Sequence, residues 1–337
     1  MNLGLRAKRV LALTIITALF ASYLVAPLPV AAQTTTGGII VFDYTHGQYS
    51  GSVAWIDEFL DANLTAMGYE CVWAYGGINA SVLENATGLV MGSVYGSGAY
   101  SSAEITAITN WYNAGSKFLW VGYDSDYDGE VVNDNMTLVL DAVGSHIYGE
   151  PTAVEDDVSN CGSGYRAVAN GTSTDPYVAD IVAGVDNVLM HGPTLVYGAT
   201  DAEPFGSNTV ALENTTVANV YPLIYYGAGA TIVDPDLRLP YAHDNGQTGA
   251  FCAAALEIAG TNAIIVSGAS PYGDYRPMYA DEYYGVTLTG NLFVKQAIDF
   301  GMTHAMTPPA DMTMLLVAGG IGVVVVILVA VYCMRKK

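Results

Sequence analysis

The feature that most constrains the fold is a regular alternation of apolar runs and amphipathic segments in the first half of the chain. The β-branched run "GGIIVFDY" ends in turn residues, and "SVAWIDEFLDANLTAMGY" then places apolar side chains at helical spacing. Further strands are predicted at "YECVWAY", "TGLVMGSVY" and "SKFLWVGY", with further helices over 101–115 and 133–144. Strands that alternate with helices form a parallel sheet covered on both faces. We therefore expect an α/β fold with a mostly parallel sheet flanked by helices.

The second half of the chain has a different pattern. Residues 150–219 are rich in Gly, Asn, Thr and Asp, and their periodicity is weak, which predicts an irregular insertion with a short strand at "PTLVYG". Several apolar runs then predict a β-rich C-terminal half, followed by a final helix at "TGNLFVKQAIDFGM". We expect one domain over residues 33–301.

Both ends of the chain carry apolar segments. Residues 1–32 have a basic start, an apolar middle and a small-residue exit, which predicts a secretory signal cleaved after Ala32, with an uncleaved anchor as the alternative. Residues 314–334 contain no charge and are long enough to span a membrane as a helix. A Pro-containing stalk over 302–313 and a basic, cytoplasmic tail over 335–337 flank this segment. The sequence predicts an extracellular domain held at the cell membrane.

The chain is strongly acidic, with a formal net charge of −21. Of its eleven Lys and Arg residues, only five lie between the two apolar end segments. Nucleic-acid binding needs a basic surface, so we expect no nucleic-acid partner. An acidic surface attracts cations, although it also serves a protein that stays soluble in a salty medium.

Cysteines and glycosylation motifs also fit an exported protein. Cys71, Cys161 and Cys252 can form at most one disulfide, and the sequence leaves the pairing open. The motif N-x-S/T predicts glycans at six positions, which are Asn63, Asn79, Asn85, Asn135, Asn170 and Asn214.

The stretch "GYDSDYDGE", over residues 122–130, places several acids at the end of an apolar strand. Alternate carboxylates followed by Gly129 match the first half of a calcium-binding loop, but Asn135 stands where the closing Glu is expected. A hard cation would relieve the repulsion among these carboxylates. The sequence predicts a calcium site here, with a solvated acidic loop as the alternative. Its predicted ligands are Asp124, Asp126, Asp128 and Glu130.

Two further pairs are candidate ligand-binding residues. Asp43 and His46 follow the first strand, and ligands of open α/β sheets bind outside the carboxyl ends of strands. The alternative is that Asp43 caps a turn and His46 hydrogen-bonds the backbone. Asp274 and Arg276 lie in a Gly- and Tyr-rich loop, where they are expected to form an exposed local ion pair.

Three stretches together resemble a known family: "VFDYTHG", "YSSAEITAITNWYNAGSKFLWVG" and "NAIIVSGASPYGD" with the later "GNLFVKQAIDFG". They resemble the flavodoxin-like, class I glutamine amidotransferase-like fold, and more narrowly its non-catalytic DUF4350-type branch in archaeal-type surface membrane proteins. The resemblance covers residues 38–149 and 220–301.

The resemblance implies that amidotransferase chemistry is absent. Catalytic members carry a Cys at a strand-to-helix turn and a later His-x-Glu pair, whereas Tyr123 or Asp124 stands at that turn here. None of the five His residues begins a His-x-Glu motif. We expect a cell-surface glycoprotein that binds a glycan, an envelope protein or calcium, with no other cofactor. The alternatives are an extracellular metal-assisted hydrolase, using Asp43, His46 and the acidic loop, and a structural envelope component.

Overall fold

The computed structural model describes residues 37–48, 53–94, 98–127, 132–233 and 238–307. Its first half confirms the alternation read from the sequence. Because apolar side chains recur with period two in the strands and at helical spacing between them, each element has one or two faces to bury. The elements in order are β1 (Ile39–Asp43), α1 (Ala54–Ala66), β2 (Glu70–Ala74), α2 (Ala80–Leu83), β3 (Ala86–Met91), α3 (Ser102–Asn113), β4 (Phe118–Gly122) and α4 (Val132–Ala142).

The second half contains mostly strands. They are β5 (Ile147–Gly149), β6 (Ala153–Glu155), β7 (Arg166–Thr172), β8 (Val188–His191), β9 (Val196–Ala199), β10 (Thr209–Ala211), β11 (Val220–Tyr226), β12 (Thr231–Val233), β13 (Cys252–Ala259), β14 (Asn262–Ser267), β15 (Glu282–Tyr283) and β16 (Val286–Thr287). Two helices complete the set, α5 (Ala179–Val182) after a 3-10 turn at Pro176–Val178, and α6 (Gly290–Met306). Residues 150–219 are therefore not irregular, since they supply β7 and β8 to the main sheet.

The main sheet has nine strands in the order β2-β1-β3-β4-β14-β13-β11-β7-β8. The first five strands are parallel to one another, and every later neighbouring pair is antiparallel. The expected mostly parallel sheet is therefore corrected to a mixed sheet. The direction reverses because Gly260 and Thr261 join β13 to β14 as a tight hairpin, with Gly260 at φ 66°.

Helices cover both faces of the parallel half. In β4, Phe118 and Trp120 belong to one apolar core, while Leu119 and Val121 belong to the other. The first core includes the buried faces of α1 and α6, and the second includes those of α3 and α4. The carboxyl ends of the parallel strands therefore emerge at one edge of a three-layered structure.

The predicted fold class included a transmembrane helix, and this part is corrected. Within the described ranges, none of the helices combines the length and the apolar character needed to cross a membrane. The predicted span over 314–334, the tail over 335–337 and the signal over 1–32 all lie outside the described residues. The first residues of the predicted 302–313 stalk belong to α6, which ends at Met306.

A buried charge cluster holds the segment before β13 against the smaller strands. His243 Nδ1 lies 2.9 Å from Glu150 Oε1, and its Nε2 lies 2.9 Å from Glu213 Oε1. The Glu150 carboxylate also accepts the backbone N–H groups of Tyr241 and Ala242. Burial alone would lower the pKa of His243, but hydrogen bonds and charges from Glu150 and Glu213 raise it to about 9. His243 is therefore an imidazolium that links residues after β5 and β10.

This cluster makes stability depend on pH. Because the folded-state pKa of His243 lies above its ordinary value of 6.5, its contribution is complete below pH 6.5 and lost as pH rises through about 9. We expect His243→Gln to lower the free energy of unfolding by a few kcal/mol at pH 6, and by much less at pH 10. Urea unfolding of the full-length protein at both pH values measures this difference. A destabilisation that is equal at the two values would contradict the assignment.

Candidate functional site

The carboxyl ends of β1, β3, β4 and β14 are joined by a network of buried hydrogen bonds. The Tyr272 hydroxyl donates to the Asp43 carbonyl and accepts from Gly92 N at 3.0 Å. Ser93 Oγ donates to the Tyr123 carbonyl at 2.8 Å, and Ser93 N donates to Ser270 Oγ at 3.2 Å. The loop after β14 therefore fixes the positions of the side chains that follow the other strands.

Asp43 is fully buried at the end of β1 and accepts four hydrogen bonds. Its Oδ1 accepts Thr45 N at 2.9 Å, which is the turn cap considered from the sequence. Its Oδ2 accepts from three side chains, His46 Nδ1 at 2.7 Å, Tyr100 Oη at 2.6 Å and Gln48 Nε2 at 3.2 Å. This saturation leaves Asp43 little capacity to bind a ligand directly.

His46 lies between two carboxylates. Its Nδ1 bonds Asp43, and its Nε2 lies 3.2 Å from Glu104 Oε1. Burial would lower the pKa of His46, but the hydrogen bond and charge of Asp43, together with Glu104, raise it overall. A protonated imidazole has no lone pair to abstract a proton or to bind a metal. His46 therefore acts as a buried cation in this arrangement.

Glu104 joins this cluster to the start of α3. Ser101 Oγ accepts Glu104 N, and Glu104 Oε2 accepts Ser101 N at 2.9 Å, which confirms the predicted reciprocal cap. Glu104 Oε1 also accepts Ile78 N at 3.1 Å. Although burial opposes the charged form, the bonds from Ser101 and Ile78 and the charge of His46 lower the pKa of Glu104 overall.

The acidic loop lies apart from this cluster. Asp124 and Asp126 are buried, and Ser125 N donates to the Gly192 carbonyl at 2.8 Å, towards the end of β8. Between the described residues of the two groups, no hydrogen bond or ion pair connects Asp124 or Asp126 to Asp43 or His46. Asp128 and Glu130 lie outside the described residues. In the part of the chain that the structure describes, no three His, Cys, Asp or Glu residues are placed to hold a metal ion.

The remaining candidates have structural surroundings. Tyr123, at the family's nucleophile turn, is fully buried, and its hydroxyl lies 2.9 Å from Thr137 Oγ1. Asp274 is buried, with φ 60°, and accepts the N–H of Tyr275. Arg276 instead donates to the Glu282 carbonyl at 2.7 Å. The described ion pairs do not include the expected Asp274–Arg276 pair.

The structure also locates the predicted modification sites. Cys71, Cys161 and Cys252 are free thiols, two of them buried. Asn135 is only 7% exposed within α4, so this fold leaves no room for the glycan predicted there. The side chains of Asn79, Asn85, Asn170 and Asn214 are exposed, and Asn63 is half-buried.

The sequence analysis missed a cleft of about 410 Å³ beside Asp43. One wall is the face of α1 formed at helical spacing, and the other comes from aromatic residues at the ends of β1 and β2. We call it the acidic–aromatic cleft. Its lining residues are Tyr44, Ala54, Asp57, Glu58, Asp61, Ala62, Trp73 and Tyr75. The available signal was the i, i+4 repeat of Asp57 and Asp61, opposite period-two aromatics on β2.

Hydrogen bonds between the two walls hold the cleft in shape. The Tyr44 hydroxyl donates to Asp57 Oδ2, and Trp73 Nε1 donates to Asp61 Oδ2 at 2.7 Å. Gly273 N donates to Asp57 Oδ1 at 2.9 Å. Burial raises the pKa of Asp57 to about 6, although the bonds from Gly273 and Tyr44 act in the opposite direction. The cleft therefore presents carboxylates and aromatic rings in fixed positions.

The Asp43 cluster leads to a stability prediction. Asp43→Asn removes the charge that His46 and Tyr100 face, and it leaves a buried cation with one carboxylate partner fewer. We expect a loss of about 3–5 kcal/mol in the free energy of unfolding, measured by urea denaturation of the full-length protein. The control Asp244→Asn, at an exposed position, is expected to stay within about 0.5 kcal/mol of wild type. A loss for Asp43→Asn as small as that of the control would contradict this role.

Comparisons with known proteins support the fold alone. No protein-family model and no curated protein matches the chain. The mmIFT52 N-terminal domain is similar in structure, with a TM-score of 0.53 and 11% identity, over 80% of this chain and 98% of that chain. A ThuA-like protein from Bacteroides uniformis has a TM-score of 0.41 and 11% identity, over 80% and 94% of the two chains. A GMP synthase protein from Thermoplasma acidophilum has a TM-score of 0.35 and 10% identity, over 78% and 96%.

Proposed function

We propose that this chain is a non-catalytic binding protein whose α/β domain holds a small ligand in the acidic–aromatic cleft. The observation that carries the proposal is the position and lining of the cleft, at the carboxyl ends of β1 and β2. Ligands of open α/β sheets bind at this edge. The volume of about 410 Å³ lies in the range of small-molecule sites.

The surroundings of the candidate catalytic groups support a non-catalytic role. A general base needs a nitrogen or oxygen that can take a proton, and both ring nitrogens of His46 face carboxylates. A nucleophile needs such a base within reach, whereas Ser270 Oγ donates to the Tyr272 carbonyl at 2.6 Å. Burial, and then the charge of Asp61, raise the pKa of the Cys71 thiol to about 12, which disfavours the reactive thiolate.

The family context belongs to the same proposal. The motifs of residues 38–149 and 220–301 resemble the non-catalytic DUF4350-type branch of amidotransferase-like proteins in archaeal-type surface proteins. The composition of residues 1–32 supports a location outside the cell, and so do N-x-S/T motifs at exposed positions such as Asn79 and Asn85.

Filling the cleft tests the proposed binding site. Ala62 lies on the exposed face of α1 and lines the cleft, so Ala62→Trp should occlude it without disturbing the core. We expect the wild-type protein to bind at least one class in a panel of sugars, amino acids, amines and carboxylates, measured by ligand-observed NMR. Ala62→Trp should abolish that binding, and Ala66→Trp, exposed on the same helix outside the cleft, should preserve it. Ligands that bind the two variants equally would place the site elsewhere.

A second assay tests the absence of catalysis. We expect the full-length protein to hydrolyse chromogenic esters, phosphates and glycosides no faster than buffer, with or without added calcium or zinc. The reason is that His46 has no lone pair available while Asp43 and Glu104 hold it. Hydrolysis that His46→Gln removed would overturn the non-catalytic assignment.

A further inference from the structure

We propose that the ligand of the acidic–aromatic cleft is a small organic cation that carries a substituted ammonium group. The inference rests on the proposed function, since it names the ligand class of that same cleft. It follows from three observations, which are the kinds of groups in the lining, the charge they sum to, and the way they are held.

The polar groups of the lining carry one sign of charge. Asp57, Glu58 and Asp61 all project from α1 into the same cleft, and the lining that the structure describes contains no Lys, Arg or His. Glu58 is exposed and makes neither a hydrogen bond nor an ion pair with any described residue. Asp57, in contrast, is only 5% exposed. A cation would relieve the repulsion among these carboxylates, and a neutral ligand would not.

The other wall is aromatic. Tyr44 lies at the centre of a cluster, with its ring centroid 5.2 Å from Trp73 and 5.4 Å from Tyr75. Tyr75 is 71% exposed, so it offers ring surface at the mouth of the cleft. Aromatic rings attract cations through their quadrupoles, and quaternary ammonium ligands are recognised by groups of such rings. A bare metal ion would make little use of this wall, because hard cations prefer oxygen ligands.

The two walls are also held in place before any ligand arrives. Asp57 is bonded to Tyr44 and Gly273, and Asp61 is bonded to Trp73. Each hydrogen bond connects a carboxylate of α1 to a residue from another element, so neither acid can turn away from the cleft freely. A site fixed in this way loses little side-chain entropy on binding. The arrangement suits a compact cation that contacts carboxylate and ring at once.

The test compares choline with its neutral isostere, 3,3-dimethyl-1-butanol, on the full-length wild-type protein. Binding is measured by ligand-observed NMR titration, with glucose as a neutral sugar in the same series. We expect choline to bind at least about tenfold more tightly than the isostere, since the shapes match and only the charge differs. Equal affinity for the two compounds would overturn the proposal.

Matched variants locate the interaction. Glu58→Gln with Asp61→Asn removes two charges but keeps an acceptor for Trp73, and it should weaken choline binding about tenfold. Tyr75→Ala should weaken it about two- to fivefold. The control Glu70→Gln with Glu84→Gln removes the same charge at exposed positions outside the cleft. Tyr127→Ala, with Tyr127 68% exposed, is the matched aromatic control. Both controls should leave choline affinity within about twofold of wild type.

The outcomes separate this inference from the proposed function. If glucose or another neutral compound binds in the cleft and Ala62→Trp abolishes that binding, while choline does not bind, the cation assignment is wrong and the cleft remains a binding site. If no compound of either series binds in a manner sensitive to Ala62→Trp, both proposals are overturned. Choline binding that all variants share equally would overturn both as well.

Discussion

Buried carboxylates paired with histidine imidazoles hold this fold together at its most irregular points. Asp43 pairs with His46 at the end of β1, and Glu150 pairs with His243 beside the smaller strands. Glu257 of β13 forms a third pair with His146, at 2.7 Å. Because only five Lys and Arg residues lie between the apolar ends of an otherwise acidic chain, histidine supplies much of the positive charge that these carboxylates require.

The sequence predicted the part of the fold that depends on local pattern. Each apolar run in residues 38–122 became a strand of the parallel half, and Ser101 with Glu104 capped α3 as the motif indicated. The antiparallel half was harder to predict, because β7, with the sequence "RAVANGT", contains Asn and Gly and buries its side chains unevenly. Its place in the sheet depends on pairing with β11, which is distant in sequence.

The candidate site was predictable only in part, for the same reason. Asp43 and His46 are three residues apart, so a contact between them could be foreseen, but their partners Tyr100 and Glu104 come from beyond β3. The acidic–aromatic cleft combines two strand ends with one face of α1. Composition alone gave no reason to place Asp57 beside Tyr44. The likeness to the mmIFT52 N-terminal domain extends to fold, and a fold of this kind supports many unrelated functions.

Glu104 illustrates how two structural duties restrict one position. For capping α3, Gln would serve as well as Glu, since either side chain can accept the Ser101 N–H. For His46, only Glu supplies the negative charge that the buried imidazolium faces. Evolutionary drift at position 104 is therefore coupled to position 46. In relatives that share this edge of the sheet, a Gln at the first position should accompany the loss of the histidine at the second.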